Sequence, residues 1–128
     1  MRRVLFMDDR EIKGLLMQAL GDYVASYDAA RAKAAITMYT EERYGQEKVM
    51  GKCVQRIAYI QKALQEFHQK DRVKDALKQC LEDCNAAYED ARVKAEEAFI
   101  RDRAYYEKIK GHCVERRIKI TAALAELT

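Results

Sequence analysis

"GKCVQRIAYIQKAL" occupies residues 51–64, and "GHCVERRIKITAAL" occupies residues 111–124. Seven of these fourteen positions are identical, where unrelated stretches of average composition match about once. Upstream, "LGDYVASYDAARAKA" (20–34) aligns with "LEDCNAAYEDARVKA" (81–95) at eight of fifteen positions. The chain therefore reads as a single helical domain, 1–128, built from a duplicated unit at approximately 8–68 and 70–128.

The spacing between the copies carries more than the identity. Tyr27 and Arg31 lie 61 residues before Tyr88 and Arg92, whereas Lys48, Gly51 and Cys53 lie 60 before Lys108, Gly111 and Cys113. One residue separates the copies somewhere between about 35 and 43, or equivalently 96 and 103. Inside a packed helix such a change would turn everything downstream by about 100° and carry the apolar stripe off the core. In a connection it costs little. Each repeat is thus predicted to be a helical hairpin, connected near residues 37–40 in the first copy and 99–102 in the second.

Apolar periodicity supports four helices. Ile12, Leu16, Ala19, Tyr23, Tyr27, Ala30 and Ala34 recur at three- and four-residue steps. So do Met50, Cys53, Ile57, Ile60, Leu64 and Phe67, then Val73, Leu77, Cys80, Cys84, Ala87, Ala91 and Ala95, and finally Ile109, Cys113, Ile120, Leu124 and Leu127. Each set is the core stripe of an amphipathic helix. Asp8 followed by Glu11 has the form of a capping box opening the first helix, and Asp71 is placed to cap the third.

The fold class expected is all-α: an antiparallel up-down four-helix bundle formed from two tandem helical-hairpin repeats. The competing arrangement makes each repeat one continuous helix, giving a long two-helix antiparallel coiled-coil hairpin that absorbs the extra residue as a change of winding. Neither intra-repeat connection contains Gly or Pro, which keeps that alternative open. In either case a single apolar face is covered by its own near-copy.

Composition bounds the function. Proline is absent, glycine occurs five times and serine once, at Ser26, a balance that favours long helices with few loops. The 24 basic and 21 acidic residues give a formal charge of +3, a mixed surface that does not call for nucleic acid. The opening "MRRVLFM" is followed at once by Asp8 and Asp9, too short an apolar patch for a signal-peptide core. No later stretch reaches the length of a membrane span. The setting expected is intracellular, cytoplasmic or cytoskeletal, with a mitochondrial location as the alternative, and the four cysteines are expected to be reduced thiols.

Those cysteines are the sharpest chemical lead. A turn near residue 69 sets Cys53 opposite Cys84, and one near 100 brings Cys84 to the level of Cys113, with Cys80 one turn away. A thiolate layer of this kind suits zinc or copper, with His112 as an imaginable further ligand. All four nevertheless lie on apolar stripes, where a thiol acts as a small hydrophobe, and no paired CxxC spacing occurs. No metal or cofactor is assigned.

No catalytic residue is assigned either. His68 and His112 are the only histidines, Ser26 lies within a helix rather than a nucleophile elbow, and His112 and Cys113, adjacent on a helix, point about 100° apart. No ExxH pair, phosphate loop or CxxCH occurs. An enzyme is not expected.

Charged residues shared by the copies are Arg31 and Arg92, Lys33 and Lys94, Arg43 and Arg103, Glu47 and Glu107, and Arg56 and Arg116. Such residues are expected to flank a helical seam. Two tyrosines belong to one copy only: Tyr59 aligns with Lys119, and Tyr44 with Ala104. They are expected at a protein interface, where a rigid amphipathic ring gives contact area at low entropic cost. Val4, Leu5, Phe6 and Met7 are expected either to staple onto the end of the bundle or to dock elsewhere.

The reading is a non-enzymatic structural or adaptor subunit of a larger intracellular protein assembly, with protein partners bound through helix surfaces. The mildly basic charge would suit a cytoskeletal partner such as an acidic polymer. The alternatives are a metal- or small-ligand-binding bundle using the cysteine layer, and a peripheral membrane-surface protein using "MRRVLF" and the basic helices.

Overall fold

A computed structural model describes residues 7–128, so Val4, Leu5 and Phe6 lie outside the described residues and of that N-terminal patch only Met7, half-buried, is described. The described chain is helical: α1 (Asp9–Ile36), α2 (Thr40–Gln65), α3 (Lys70–Glu97) and α4 (Ile100–Leu127). The chain is all-α, and each repeat is a helical hairpin, the four-helix class that the sequence predicts. The continuous-helix alternative does not hold, because the backbone leaves the helix at 37–39 and again at 98–99.

The helix ends obey the two spacings of the repeat. Adding 61 to the bounds of α1 gives 70 and 97, which are the bounds of α3. Adding 60 to the start of α2 gives 100, the start of α4. The first connection therefore has three residues and the second two, and the unmatched residue falls between helices. The second connection begins one residue earlier than its expected position, so Ile100, Arg101 and Asp102 already belong to α4.

By compactness the chain divides into two units, one of residues 9–76 and the other including 77–128. The first holds α1, α2 and the opening turns of α3; the second holds the rest of α3 with α4. Buried positions recur at the spacings of the repeat. Ile12 and Val73, Leu16 and Leu77, Ala30 and Ala91, Cys53 and Cys113, Ile60 and Ile120, and Ala63 and Ala123 are buried in both copies. No described polar or charged residue is buried, so burial of apolar surface, at about 25 cal/mol per Å², is the term that holds each hairpin.

The buried set departs from the predicted stripes at four positions. Ala87 is exposed, because Tyr88, a rotation of about 100° further on, takes the place facing α4. Ala63, Ala76 and Ala123, which the stripes omit, are buried.

Helix starts follow the charge pattern of the helix dipole. Asp8 directly precedes α1, and Asp9 and Glu11 lie in its first turn, where the dipole favours negative charge. Asp71 is not the cap of α3. That helix begins at Lys70, so Asp71 lies inside its first turn, and the Gln69 carbonyl accepts from the Arg72 and Val73 amides at 3.0 and 3.4 Å.

The turn between α2 and α3 is closed by side chains of the first unit. Phe67 is buried, with the Lys70 and Lys13 ammonium groups 3.8 and 4.8 Å from its ring centre. Arg72 pairs with Glu66 at 3.0 Å, and Lys70 reaches Asp9 at 3.5 Å. Exposed pairs like these contribute little singly; the ring they surround supplies the apolar area.

Candidate functional site

The hairpin tips concentrate the surface apolar groups. At the first tip Ile36 is 82% exposed and Met38 91%, with Tyr39 beside them. At the second, Phe99 is 86% exposed and Ile100 84%. Scattered exposed apolar residues are ordinary, whereas runs of them mark contact surfaces.

The first tip is a built structure despite lacking Gly and Pro. Thr37 replaces them: its amide donates to the Lys33 carbonyl at 3.2 Å, extending the last turn of α1. Its hydroxyl donates to Glu42 at 2.8 Å and accepts from the Tyr39 amide at 3.3 Å. Arg43 donates to the Thr37 carbonyl at 3.1 Å. The chain thus turns over a fixed side-chain network, leaving Ile36, Met38 and Tyr39 outward. An open groove of about 710 Å³ runs here, lined by Lys33, Ile36, Thr37, Met38, Tyr39 and Glu42 with part of the next turn of α2.

The second tip repeats one element of this device. Arg103, the counterpart of Arg43, donates to the Ala95 carbonyl at 3.2 Å. Both arginines reach back to carbonyls at or just beyond the end of the preceding helix, where such groups lack intrahelical partners and the dipole favours cations. The shared arginine pair is therefore explained by closure of the tips rather than by pairing across a seam. Other shared charges pair along their own helices: Arg31 to Asp28 at 3.9 Å, Arg92 to Glu89 and Glu96 at 2.9 and 3.1 Å, Lys94 to Asp90 at 3.0 Å, and Glu107 to Lys110 at 3.3 Å. Glu89 and Asp90 hold the Arg92 and Lys94 side chains in their charged forms above their ordinary pKa values.

Of the two copy-specific tyrosines, Tyr44 is exposed. Tyr59 is half-buried and its hydroxyl donates to Asp75 on α3 at 3.5 Å. Desolvation first, and the Asp75 carboxylate second, raise the Tyr59 phenol above its ordinary range. Tyr59 thus serves the inside of the first unit, and of the two only Tyr44 is exposed.

All four cysteines are thiols; Cys53, Cys80 and Cys113 are buried and Cys84 half-buried. Burial raises the Cys113 thiol above its ordinary pKa, against a smaller opposing effect of Arg117 and Arg116. Among the described residues no group of three or more His, Cys, Asp or Glu side chains is arranged to hold a metal ion. His68, His112 and Ser26 are exposed at separate points of the chain. Within the described residues no helix is long and apolar enough to cross a membrane.

Comparison with protein-family models, with curated proteins and with solved structures finds no match to this chain. The functional reading rests on the chain's own residues.

The tips were not singled out by sequence reasoning. A signal was present: Ile36 borders the first connection and Met38 lies in it, while Phe99 lies in the second and Ile100 borders it, so bulky apolar residues stand where a surface loop ordinarily carries polar ones.

Proposed function

We propose that the chain is a non-enzymatic structural or adaptor subunit of a larger intracellular protein assembly, and that it docks partners through its hairpin tips and the adjoining helix surfaces. The observation that supports this most is the exposure of Ile36, Met38 and Tyr39 on a side-chain-braced turn, together with that of Phe99 and Ile100. Braced apolar groups give contact area with little ordering cost on association. Met38 adds a flexible, polarisable side chain that adapts to irregular surfaces. The mixed charge around the groove, Lys33 against Glu42, favours a polar rim around an apolar centre, which is the ordinary plan of a protein interface.

The test is site-specific photocrosslinking in cells of the source organism. A photoreactive residue at Met38 or Phe99 is expected to give discrete protein adducts, and one at Lys62, exposed on the far part of α2, to give several-fold fewer. Equal yields at all three positions, or a chain that migrates in native extract at its own 14.9 kDa, would contradict the reading.

A further inference from the structure

In an antiparallel hairpin, residues at one level have numbers that add to twice the centre of the connection. The α3–α4 connection is centred between Ala98 and Phe99, which puts Cys84 level with Cys113. The contacts around them agree. Lys110 of α4 stands 5.8 Å and Arg117 5.3 Å from the centre of the Tyr88 ring on α3, and Arg117 also donates to Asn85 at 3.4 Å. Cys113 lies on the same face of α4 as Lys110 and Arg117, three residues after one and four before the other. Cys84 lies one turn before Tyr88 on the face of α3 that these groups meet. Cys113 is therefore bracketed on α4 by the two groups that meet α3 within a turn of Cys84.

Toward the tip, two and three turns beyond Cys84, the buried residues of α3 are Ala91 and Ala95. Small residues let helix backbones approach toward the Cα separation of about 4.4–6.8 Å that a disulfide needs. Cys80 is a full turn away from this layer. In the first hairpin, centred on Met38, the matching layer holds Tyr23 and Cys53, so the pair of thiols exists in the second copy alone.

We propose that Cys84 and Cys113 form a reversible disulfide that clasps the second hairpin at mid-length. The oxidant is a small-molecule disulfide of the glutathione class. Cys84, the half-buried member, is the thiol that such an oxidant reaches. Its thiolate attacks one sulfur of the oxidant, expelling the first small thiolate and forming a mixed disulfide. The Cys113 thiolate then attacks the Cys84 sulfur and expels the second. One small disulfide is reduced to two thiols, and the two protein thiols lose their protons and form one S–S bond. Arg116 and Arg117 favour the thiolate at Cys113, while its burial limits how much is present, so clasping is expected to speed up as pH rises.

The experiment equilibrates the purified full-length chain with mixtures of oxidised and reduced glutathione. Expected are an intact mass lower by two hydrogens, a crosslinked peptide joining Cys84 to Cys113, and a Tm higher by about 5–15 °C, from the chain-constraint effect of a disulfide. Cys84→Ser, at a half-buried position, is expected to keep the helical spectrum and abolish the clasp, and Cys53→Ser to leave it intact. A persistent glutathione adduct on Cys84, a link through Cys80, a covalent dimer, or no change in mass in oxidised glutathione would each overturn the proposal.

Discussion

One alanine inserted after Ala58, within α2, is expected to lower stability by roughly 3–6 kcal/mol, whereas one inserted after Ala98 is expected to lower it by no more than about 1.5 kcal/mol. The first insertion turns Ile60, Ala63 and Phe67 by about 100° away from the face that carries Cys53. All four are buried. Burial of an Ile or Phe side chain is worth about 1.5–3 kcal/mol each, so exposing Ile60 and Phe67 together removes roughly 3–6 kcal/mol from a total that for domains is about 5–15 kcal/mol. The second insertion turns the two-residue connection at 98–99 into one of three residues, the length found at 37–39. Its loop-closure cost is a few tenths of a kcal/mol, with a further contribution if the Arg103 hydrogen bond to Ala95 is lost, about 1 kcal/mol or less. Urea unfolding followed by circular dichroism measures both. Equal losses from the two insertions would mean that the helix register is not what holds the core.

Leu16→Ala and Leu77→Ala are each expected to cost about 3–5 kcal/mol, the transfer loss of the side chain plus the cavity left behind. Leu16 is 0% and Leu77 1% exposed, and they stand at equivalent positions of the two copies. Met17→Ala is the control: Met17 is largely exposed and Ala is the better helix former, so the change is expected to stay within about 0.5 kcal/mol. Urea midpoints at unchanged slope are the readout. A Met17→Ala loss as large as that of Leu16→Ala would place the apolar stripe of α1 on the wrong face.

Much of this architecture is legible in the amino-acid sequence, because two independent signals coincide. Periodicity marks four apolar stripes, and the change of spacing from 61 to 60 places the unmatched residue between helices. Helix ends at Ile36, Glu97, Thr40 and Ile100 follow both. What periodicity could not show is how the chain turns without Gly or Pro. Thr37 acts through a hydroxyl network with Glu42 and the Tyr39 amide, a relation across two to five residues that has no period of its own. Arg43 and Arg103 were visible as a shared pair, but a pairing across copies does not distinguish a seam residue from one that reaches back to a carbonyl.

The candidate site was less legible for a related reason. A helical stripe is defined by repetition, whereas Met38, Tyr39 and Phe99 stand in connections where repetition stops. Tyr59 misled in the opposite direction. Its absence from the second copy suggested an outward role, yet its partner Asp75 aligns with Gly14 of the first copy, so both members of the contact are absent from the equivalent place. A pair that exists once is invisible to a comparison of copies until the contact itself is known. The level shared by Cys84 and Cys113 was legible by contrast, because the position of the connection alone sets it.

The central claim is that two hairpins are made to one plan, and double electron–electron resonance on two matched pairs of spin labels tests it most directly. Ala25 and Gly51 lie at one level of the first hairpin, and Ala86 and Gly111 occupy the equivalent places in the second; all four are exposed. Labels attached through unnatural amino acids leave the native cysteines untouched. Helix axes in contact lie about 8–10 Å apart, so with label arms included both pairs are predicted to give a single distance below roughly 25 Å. A peak near 40 Å for either pair, the length of about 26 residues of unbroken helix at 1.5 Å per residue, would contradict the hairpin.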